Sequence, residues 1–349
     1  MLYQQQAQLN KVLQRENLTK LSGVRQFLLA VKYIIEYVIC ALLSYSNKSI
    51  NKAGPKDNSL LLSWSPLHNR VLEANTGSKN IKTISSPLQR NDIINVIESM
   101  TIISIFKQAY KNRTVNGMSF SFIIAFERAF FLALFDKTGV TKVCISGHYD
   151  RYVCTIANLA KEKSIILYIY QHGAVASLKG LPKFHADKIF IQYKSSEDTF
   201  KTFYNCEEFE LTKSIDSSRI ESGFKIEGDN LSILYIGQDK LPQYNAMVFS
   251  ELVSVLSHSG VKYKIYHLRH PRDTYEYERY DNYLEISDTP SNPDFVFSRY
   301  STLAYSYHML GYNVYFVNLD DINVDFMSDE RLKILPLDEI KNLEYSNNS

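Results

Sequence analysis

Three short polar clusters in this sequence can do chemistry, and each stands where an apolar run ends. The first is Gln171-His172-Gly173, which follows the uncharged run 165–170, together with His148 and Asp150 from Gly147-His148-Tyr149-Asp150. An unperturbed histidine titrates near pH 6.5, about where a proton acceptor works at neutral pH. His172 is therefore the candidate base, with Gln171, His148 and Asp150 as the polar groups that orient it. Gly173 lets the backbone turn directly after it. The second cluster is Arg269-His270-Pro271-Arg272. Proline fixes the backbone after the histidine, and an arginine fork suits phosphate oxygens. The third is Ser301-Thr302 at an expected helix start, where two hydroxyls and free backbone N–H groups can receive an anion. Each has a plainer reading as well. His148 and Asp150 are common turn formers, His-Pro is an unspecific dipeptide, and Ser or Thr before a helix is most often a simple cap.

The elements that must hold these clusters read as alternating strands and helices. Strands are expected at 59–64, 81–84, 140–146, 165–170 and 188–192, then at 231–237, 263–267, 294–297, 313–317 and 333–336. Helical spacing and length fall at 5–22, 27–45, 92–111, 119–136, 151–163, 194–205, 242–259, 302–311 and 337–343. Strand–helix–strand repetition implies right-handed parallel crossovers and an α/β class. The stretch 207–230 is charged and lacks periodicity, so it is read as a linker. Four regions follow: an N-terminal helical segment 1–58, a Rossmann-like domain 59–206, the linker 207–230, and a second Rossmann-like domain 231–349. In such sheets ligands bind beyond the carboxyl ends of the strands. The polar clusters stand at those ends, as does Gly237-Gln238. Two doubly wound domains facing a central cleft are expected.

Composition narrows the function classes. With 349 residues, 45% hydrophobic and 22% charged, the chain is long enough for two domains and too apolar for a disordered one. Its 39 basic and 37 acidic residues leave a net charge of +2, which offers no electrostatic case for nucleic acid. Cys40, Cys144, Cys154 and Cys206 form neither a C-x-x-C pair nor a zinc pattern, as expected of reduced thiols in a cytoplasmic protein. No cleavable signal peptide is read at the N-terminus. The stretch 27–45 is the most apolar. Lys32 and Glu36 inside it oppose a membrane span and leave a buried or amphipathic helix, or one lying on a membrane surface.

The set Tyr266-His267-Leu268-Arg269-His270-Pro271-Arg272-Asp273, followed by Phe297-Ser298-Arg299-Tyr300-Ser301-Thr302-Leu303, resembles the bacterial sialyltransferase and polysialyltransferase-type glycosyltransferases. The resemblance covers roughly residues 140–320. It implies a GT-B fold in which His270, Pro271, Ser301 and Thr302 bind the nucleotide and phosphate of a CMP-linked sugar donor. Arg269, Arg272, Gly237 and Gln238 join that donor side. Where the family carries two acidic residues and a glycine, this chain has Gln171-His172-Gly173, which leaves His172 as the base, with His148 and Gly173 on the acceptor side. No Asp-x-Asp metal motif is evident, so a metal-independent, inverting transfer without a cofactor is expected. The expected partners are a nucleotide sugar and a glycan or lipid-linked glycan of capsule or O-antigen, with peripheral contact at the cytoplasmic face of the inner membrane. Two other readings remain: a CDP-polyol phosphotransferase of the same fold class, and a non-catalytic polysaccharide-binding protein.

Overall fold

Short β-branched and aromatic runs form buried parallel strands, and the stretches between them form the helices that cover both sheet faces. The computed structural model describes residues 1–15, 23–44, 59–173, 175, 178–212, 214–238, 242–270, 273–278, 280–319 and 331–343. The chain divides into two units. One comprises Met1–His172 and Leu178–Thr212, the other Gly173–Ser177 and Lys213–Ser349.

The first unit begins with helices α1 (Leu2–Arg15) and α2 (Gly23–Ser44), then β1 (Ser59–Ser63), α3 (Pro66–Thr76) and β2 (Ile81–Thr83). Three helices follow: α4 (Arg90–Ser99), α5 (Ile102–Asn116) and α6 (Met118–Thr138). The rest is β3 (Lys142–Ile145), α7 (Arg151–Lys163), β4 (Ile166–Tyr170), β5 (Phe184–His185), β6 (Lys188–Ile191), α8 (Ser196–Phe203), β7 (Tyr204–Asn205) and β8 (Glu208–Leu211). Six strands make one parallel sheet in the order β2-β1-β3-β4-β6-β8. The chain leaves β1 for β2 on one side and returns to β3 on the other. The gap between the carboxyl ends of β1 and β3 is thus a topological switch, the usual ligand crevice of an open parallel sheet.

Helix α6 is long and apolar enough to cross a membrane, yet most of it is buried. Helices α2, α4, α5 and α7 pack around it, which explains an apolar surface on every side. Its buried Glu127 is met by a two-pronged fork from Arg151, with Nε to Oε2 at 2.6 Å and Nη2 to Oε1 at 2.8 Å. The Tyr33 hydroxyl donates to Oε1 at 3.0 Å.

The second unit contains α9 (Ile215–Glu221), β9 (Leu231–Ile236), α10 (Pro242–Ser259), β10 (Tyr263–Leu268), β11 (Tyr283–Ile286), β12 (Phe295–Ser298), α11 (Thr302–Met309), β13 (Val314–Asn318) and β14 (Lys333–Pro336). It ends in a 3-10 helix, Leu337–Asn342. Its parallel sheet runs β11-β10-β9-β12-β13-β14, with the switch between β9 and β12. Leu231, Ile233, Tyr235, Val248, Leu252 and Phe297 form its core. The expected α/β class with two Rossmann-like, doubly wound sheets is what the chain adopts.

Several local expectations differ from the structure. The N-terminal helices are not a separate segment, because Leu9, Val12, Tyr33 and Tyr37 bury them in the first unit. Helix α2 is half-docked: Phe27, Leu28 and Ile35 remain exposed opposite that buried face. The expected linker at 46–58 lies outside the described residues. The single helix expected at 92–111 breaks at Met100, which is extended, and Thr101 then caps α5 by accepting from Ser104 N–H. The expected linker 207–230 carries β8 and α9. The alternation Glu208-Phe209-Glu210-Leu211 is that of an edge strand, and Lys188 of β6 pairs with both glutamates.

Candidate functional site

Three adjacent strands of the first unit, β1, β3 and β4, each carry a histidine just beyond the carboxyl end. His68 lies in the first turn of α3, which Ser65 caps by accepting from the His68 N–H at 3.1 Å. His148 follows β3 and His172 follows β4. The His148 and His172 rings stack, with centroids 4.0 Å apart, and the His68 ring tilts against His172 at 4.4 Å. Phe200 closes the far side of His148, and the Tyr204 hydroxyl holds its carbonyl at 2.6 Å.

The hydrogen bonds fix how these rings are protonated. The His172 backbone N–H donates to His148 Nε2 at 3.2 Å, so Nε2 carries a lone pair and the proton of His148 is on Nδ1. A ring nitrogen of His172 is hydrogen-bonded to the Ser146 backbone. Nδ1 of His172 is buried and makes no hydrogen bond, so the bonded nitrogen is Nε2, which donates to the carbonyl. The lone pair of His172 therefore sits on Nδ1, unclaimed by the protein. Burial holds all three rings uncharged. It brings His68 down to about 4, and His148 to about 3 with some help from His68. It lowers His172 well below its ordinary value, with His148 and His68 adding to the effect. Burial keeps His172 in the form a base needs, while weakening its affinity for the proton.

The other residues expected on this side are brought near but differently engaged. Gln171 is buried, and its amide spans the neighbouring elements: Nε2 donates to Ser196 Oγ at 2.8 Å and Oε1 accepts from Gln192 N–H at 2.7 Å. That geometry anchors the end of β4 and sets where His172 begins. Asp150 caps α7, with Oδ1 accepting from the N–H groups of Tyr152 (2.8 Å) and Val153 (3.0 Å). Its Oδ2 accepts from Trp64 Nε1 at 3.0 Å. It bonds to a helix start and an indole, not to a histidine. Burial pushes its carboxyl up to about 6 against these favourable bonds. The Trp64 ring in turn meets His68 edge-on at 5.1 Å. Gly173 has φ 112°, which favours glycine, and a Cβ there would lie 3.0 Å from Thr302 Cγ2 within the second unit.

The switch of the second unit is built on charge and a buried polar network. Asn245 of α10 is fully buried and uses both ends of its amide. It donates to the Gln238 carbonyl (2.6 Å) and the Tyr277 hydroxyl (3.2 Å). It accepts from the Tyr235 hydroxyl (3.2 Å) and Arg299 Nη1 (3.3 Å). Arg299 follows β12 and is almost fully buried, its guanidinium beside the Tyr244 and Tyr300 rings. Gly237 lets His267 approach, since a Cβ there would stand 2.9 Å from His267 Nε2. Ser301 caps α11 by accepting from the Leu303 N–H at 3.2 Å, with Thr302 as the first helical residue. Arg269 is tied into its own loop: Nη2 donates to the carbonyls of Asp273 (2.9 Å) and Tyr275 (2.7 Å), and Nη1 faces Glu285. His270 is half-buried after β10. Pro271 and Arg272 lie outside the described residues.

Four residues of these sites carried no role in the sequence reading: His68, Trp64, Asn245 and Arg299. His68 had a visible signal, a histidine three residues after a Ser-Pro helix start at a strand end. Arg299 had one too, an arginine between a strand and a Ser-Thr cap. Trp64 and Asn245 gain their meaning only from long-range contacts. Among the described residues, no group of three or more His, Cys, Asp or Glu side chains is arranged to hold a metal ion.

The sequence matches no protein-family model and no curated protein. Among solved structures, it is similar to one from Listeria monocytogenes provisionally assigned as a UDP-N-acetylglucosamine 2-epimerase. That likeness has 10% identity and a TM-score of 0.48, over 81% of this chain and 86% of that one. The glycotransferase of kitacinnamycin is similar at 9% identity and a TM-score of 0.47, over 82% and 89%. The wall teichoic acid polymerase TagF is similar at 12% identity and 0.43, over 93% and 89%. Likeness of this extent carries no statement about substrate or reaction.

Proposed function

We propose that the chain is a GT-B glycosyltransferase that moves a sugar from a nucleotide-activated donor, CMP-linked, to an acceptor hydroxyl on a surface polysaccharide such as capsule or O-antigen. The observation that carries this reading is a neutral, half-buried His172 at the carboxyl end of β4, beside the β1/β3 switch, whose buried Nδ1 a small shift of the ring would have to bring to the acceptor. The acceptor oxygen attacks the anomeric carbon, and its proton passes to His172 Nδ1. The bond from that carbon to the donor phosphate breaks, and the nucleotide leaves with the electron pair. Gln171 and His148 act as positioning residues for His172.

The second unit has the chemistry for the leaving group. A departing phosphate gathers negative charge, which fixed cations and N–H dipoles stabilise without reorganisation. Arg299 supplies the fixed charge, and His270 and the N-terminus of α11 with Ser301 and Thr302 supply hydrogen-bonding groups. Inversion at the anomeric carbon and independence of metal belong to the same proposal. One observation favours a second reading, transfer of a phospho-polyol from a CDP donor: the candidate base is an imidazole in a cluster of imidazoles, with no carboxylate bonded to it among the described residues.

Thermal melts with CMP, CDP, UDP and GDP test the donor side, since a ligand that binds only the folded state raises the melting temperature. CMP is expected to stabilise the protein selectively, and less so after Arg299→Gln. Stabilisation by CDP alone moves the reading to the phosphotransferase. No shift with any nucleotide contradicts both.

A further inference from the structure

A helix docked on its own protein ordinarily turns its polar side outward. Helix α2 does the reverse. Ala30, Tyr33, Tyr37 and Cys40 bury one side of it in the first unit, and the opposite side is apolar as well. Val24, Phe27, Leu28, Ile35 and Val38 stand there at helical spacing, each between 48% and 70% exposed. By sequence the stretch 27–45 suited either a buried helix or one lying on a membrane surface. In the structure α2 has a face for each.

Helix α5 continues the pattern. Ile105 and Ala109 are its buried side, and Ile103, Phe106 and Tyr110 form an exposed row opposite them. Lys107 and Lys111 are exposed beside that row. Both helices pack on α6. Rings join them: Tyr37 of α2 meets Phe126, Phe126 meets Phe122, and Phe122 meets Phe106 of α5, with centroids 4.8–6.3 Å apart. The Tyr37 hydroxyl also donates to the Met100 carbonyl, two residues before α5, at 3.2 Å. The two exposed rows thus belong to neighbouring helices.

Charge on this side of the first unit has one sign. Helices α1, α2 and α5 together hold seven lysines and arginines against one acidic residue, Glu36. That is +6 in a chain whose total is +2, so the remainder carries −4. Helix α1 joins the group by packing on α5. Apolar rows flanked by cations match a layer that is anionic at its surface and apolar beneath. A second copy of the chain fits less well. A two-fold interface lays one patch on itself and would set +6 against +6.

We propose that the exposed sides of α2 and α5 are a docking surface for an anionic lipid bilayer, with both helices lying in the headgroup plane. Their apolar rows enter the boundary between headgroups and acyl chains, and Lys107 and Lys111 meet lipid phosphates. The chain stays on one side of the bilayer, because the other side of α2 is committed to the protein core. This binding needs neither nucleotide nor sugar, so it stands or falls apart from the transferase reading.

The test is sedimentation of the full-length protein with vesicles of phosphatidylcholine alone and of phosphatidylcholine with about 30% phosphatidylglycerol. Binding is expected to the anionic vesicles, and to weaken in about 0.5 M sodium chloride, where screening is strong. Leu28→Ser with Ile35→Ser is expected to weaken it at least about tenfold, by removing exposed apolar surface. Lys107→Gln with Lys111→Gln is expected to weaken it about tenfold, by removing two cations. Leu211→Ser, which removes an exposed apolar side chain of β8, is expected to leave it unchanged. All these side chains are at least partly exposed, and circular dichroism checks that each variant folds. No binding to anionic vesicles overturns the proposal, as does binding that both double variants retain in full. A dimer in sedimentation velocity that Leu28→Ser with Ile35→Ser dissociates also overturns it, and assigns the face to a second copy of the chain.

Discussion

The two switch points share an architecture and gather opposite kinds of side chain. At the carboxyl ends of β1, β3 and β4 in the first unit, three imidazoles lie ring to ring, uncharged, among aromatic side chains. At the carboxyl ends of β9 and β12 in the second, a buried guanidinium is held by an asparagine whose amide is used at both ends. One site gathers uncharged imidazoles and the other a buried guanidinium. A doubly wound sheet dictates where a site lies but not what it does. The side chains that follow each strand and open the next helix decide that.

The comparison is sharpest where charge itself is buried. The first unit buries a charged pair between α6 and α7, where Glu127 meets Arg151 and Tyr33. Removing one partner of such a pair strands the other. Glu127→Ala is expected to destabilise the first unit by about 3–5 kcal/mol, measured by urea unfolding followed at Trp64. A loss below about 1 kcal/mol would mean that the fork contributes no more than a surface pair.

A smaller effect separates the units by pH. A histidine whose folded pKa lies below its unfolded value leaves the unfolded state holding more protons, so stability rises with pH across that interval. Between about 6.5 and 4 for His68, and down to about 3 for His148, acid therefore destabilises the first unit, and His172 acts in the same direction. Asp150 opposes them. Its pKa is raised to about 6, so the folded state takes up its proton first as pH falls through 6. Three groups against one leave a net loss. In the second unit, burial brings the His267 imidazole to about 4. On acidification the Trp64 signal is expected to report unfolding at a higher pH than the far-ultraviolet dichroism of the whole chain. Coincident transitions would erase this difference between the units.

Much of the architecture was legible because the strands are short apolar runs with polar residues at their ends. His172 and Ser301 stand where that pattern put them. The sequence was silent where meaning depends on distant contacts. His68 becomes part of the cluster only because the switch brings β1 beside β3. Asp150 looked like a partner for histidine by proximity in the chain, but its carboxylate caps α7 and meets the Trp64 indole instead. Met100 ended a helix that periodicity alone would continue, because the threonine after it is a better cap than helix interior. The edge strand β8 lies in a stretch that its charge and lack of periodicity mark as linker; its glutamates instead pair with Lys188, a contact across the sheet that a charge count cannot show.

The most direct measurement is the turnover of His172→Ala, made beside its affinity for whichever nucleotide stabilises the native protein in the melts. If Nδ1 of His172 takes the acceptor proton, turnover falls by about a hundred- to ten-thousandfold while nucleotide affinity stays within a factor of about two. Turnover close to that of the native protein, or a loss of nucleotide affinity that accounts for the whole decline, contradicts the role of His172 as the base.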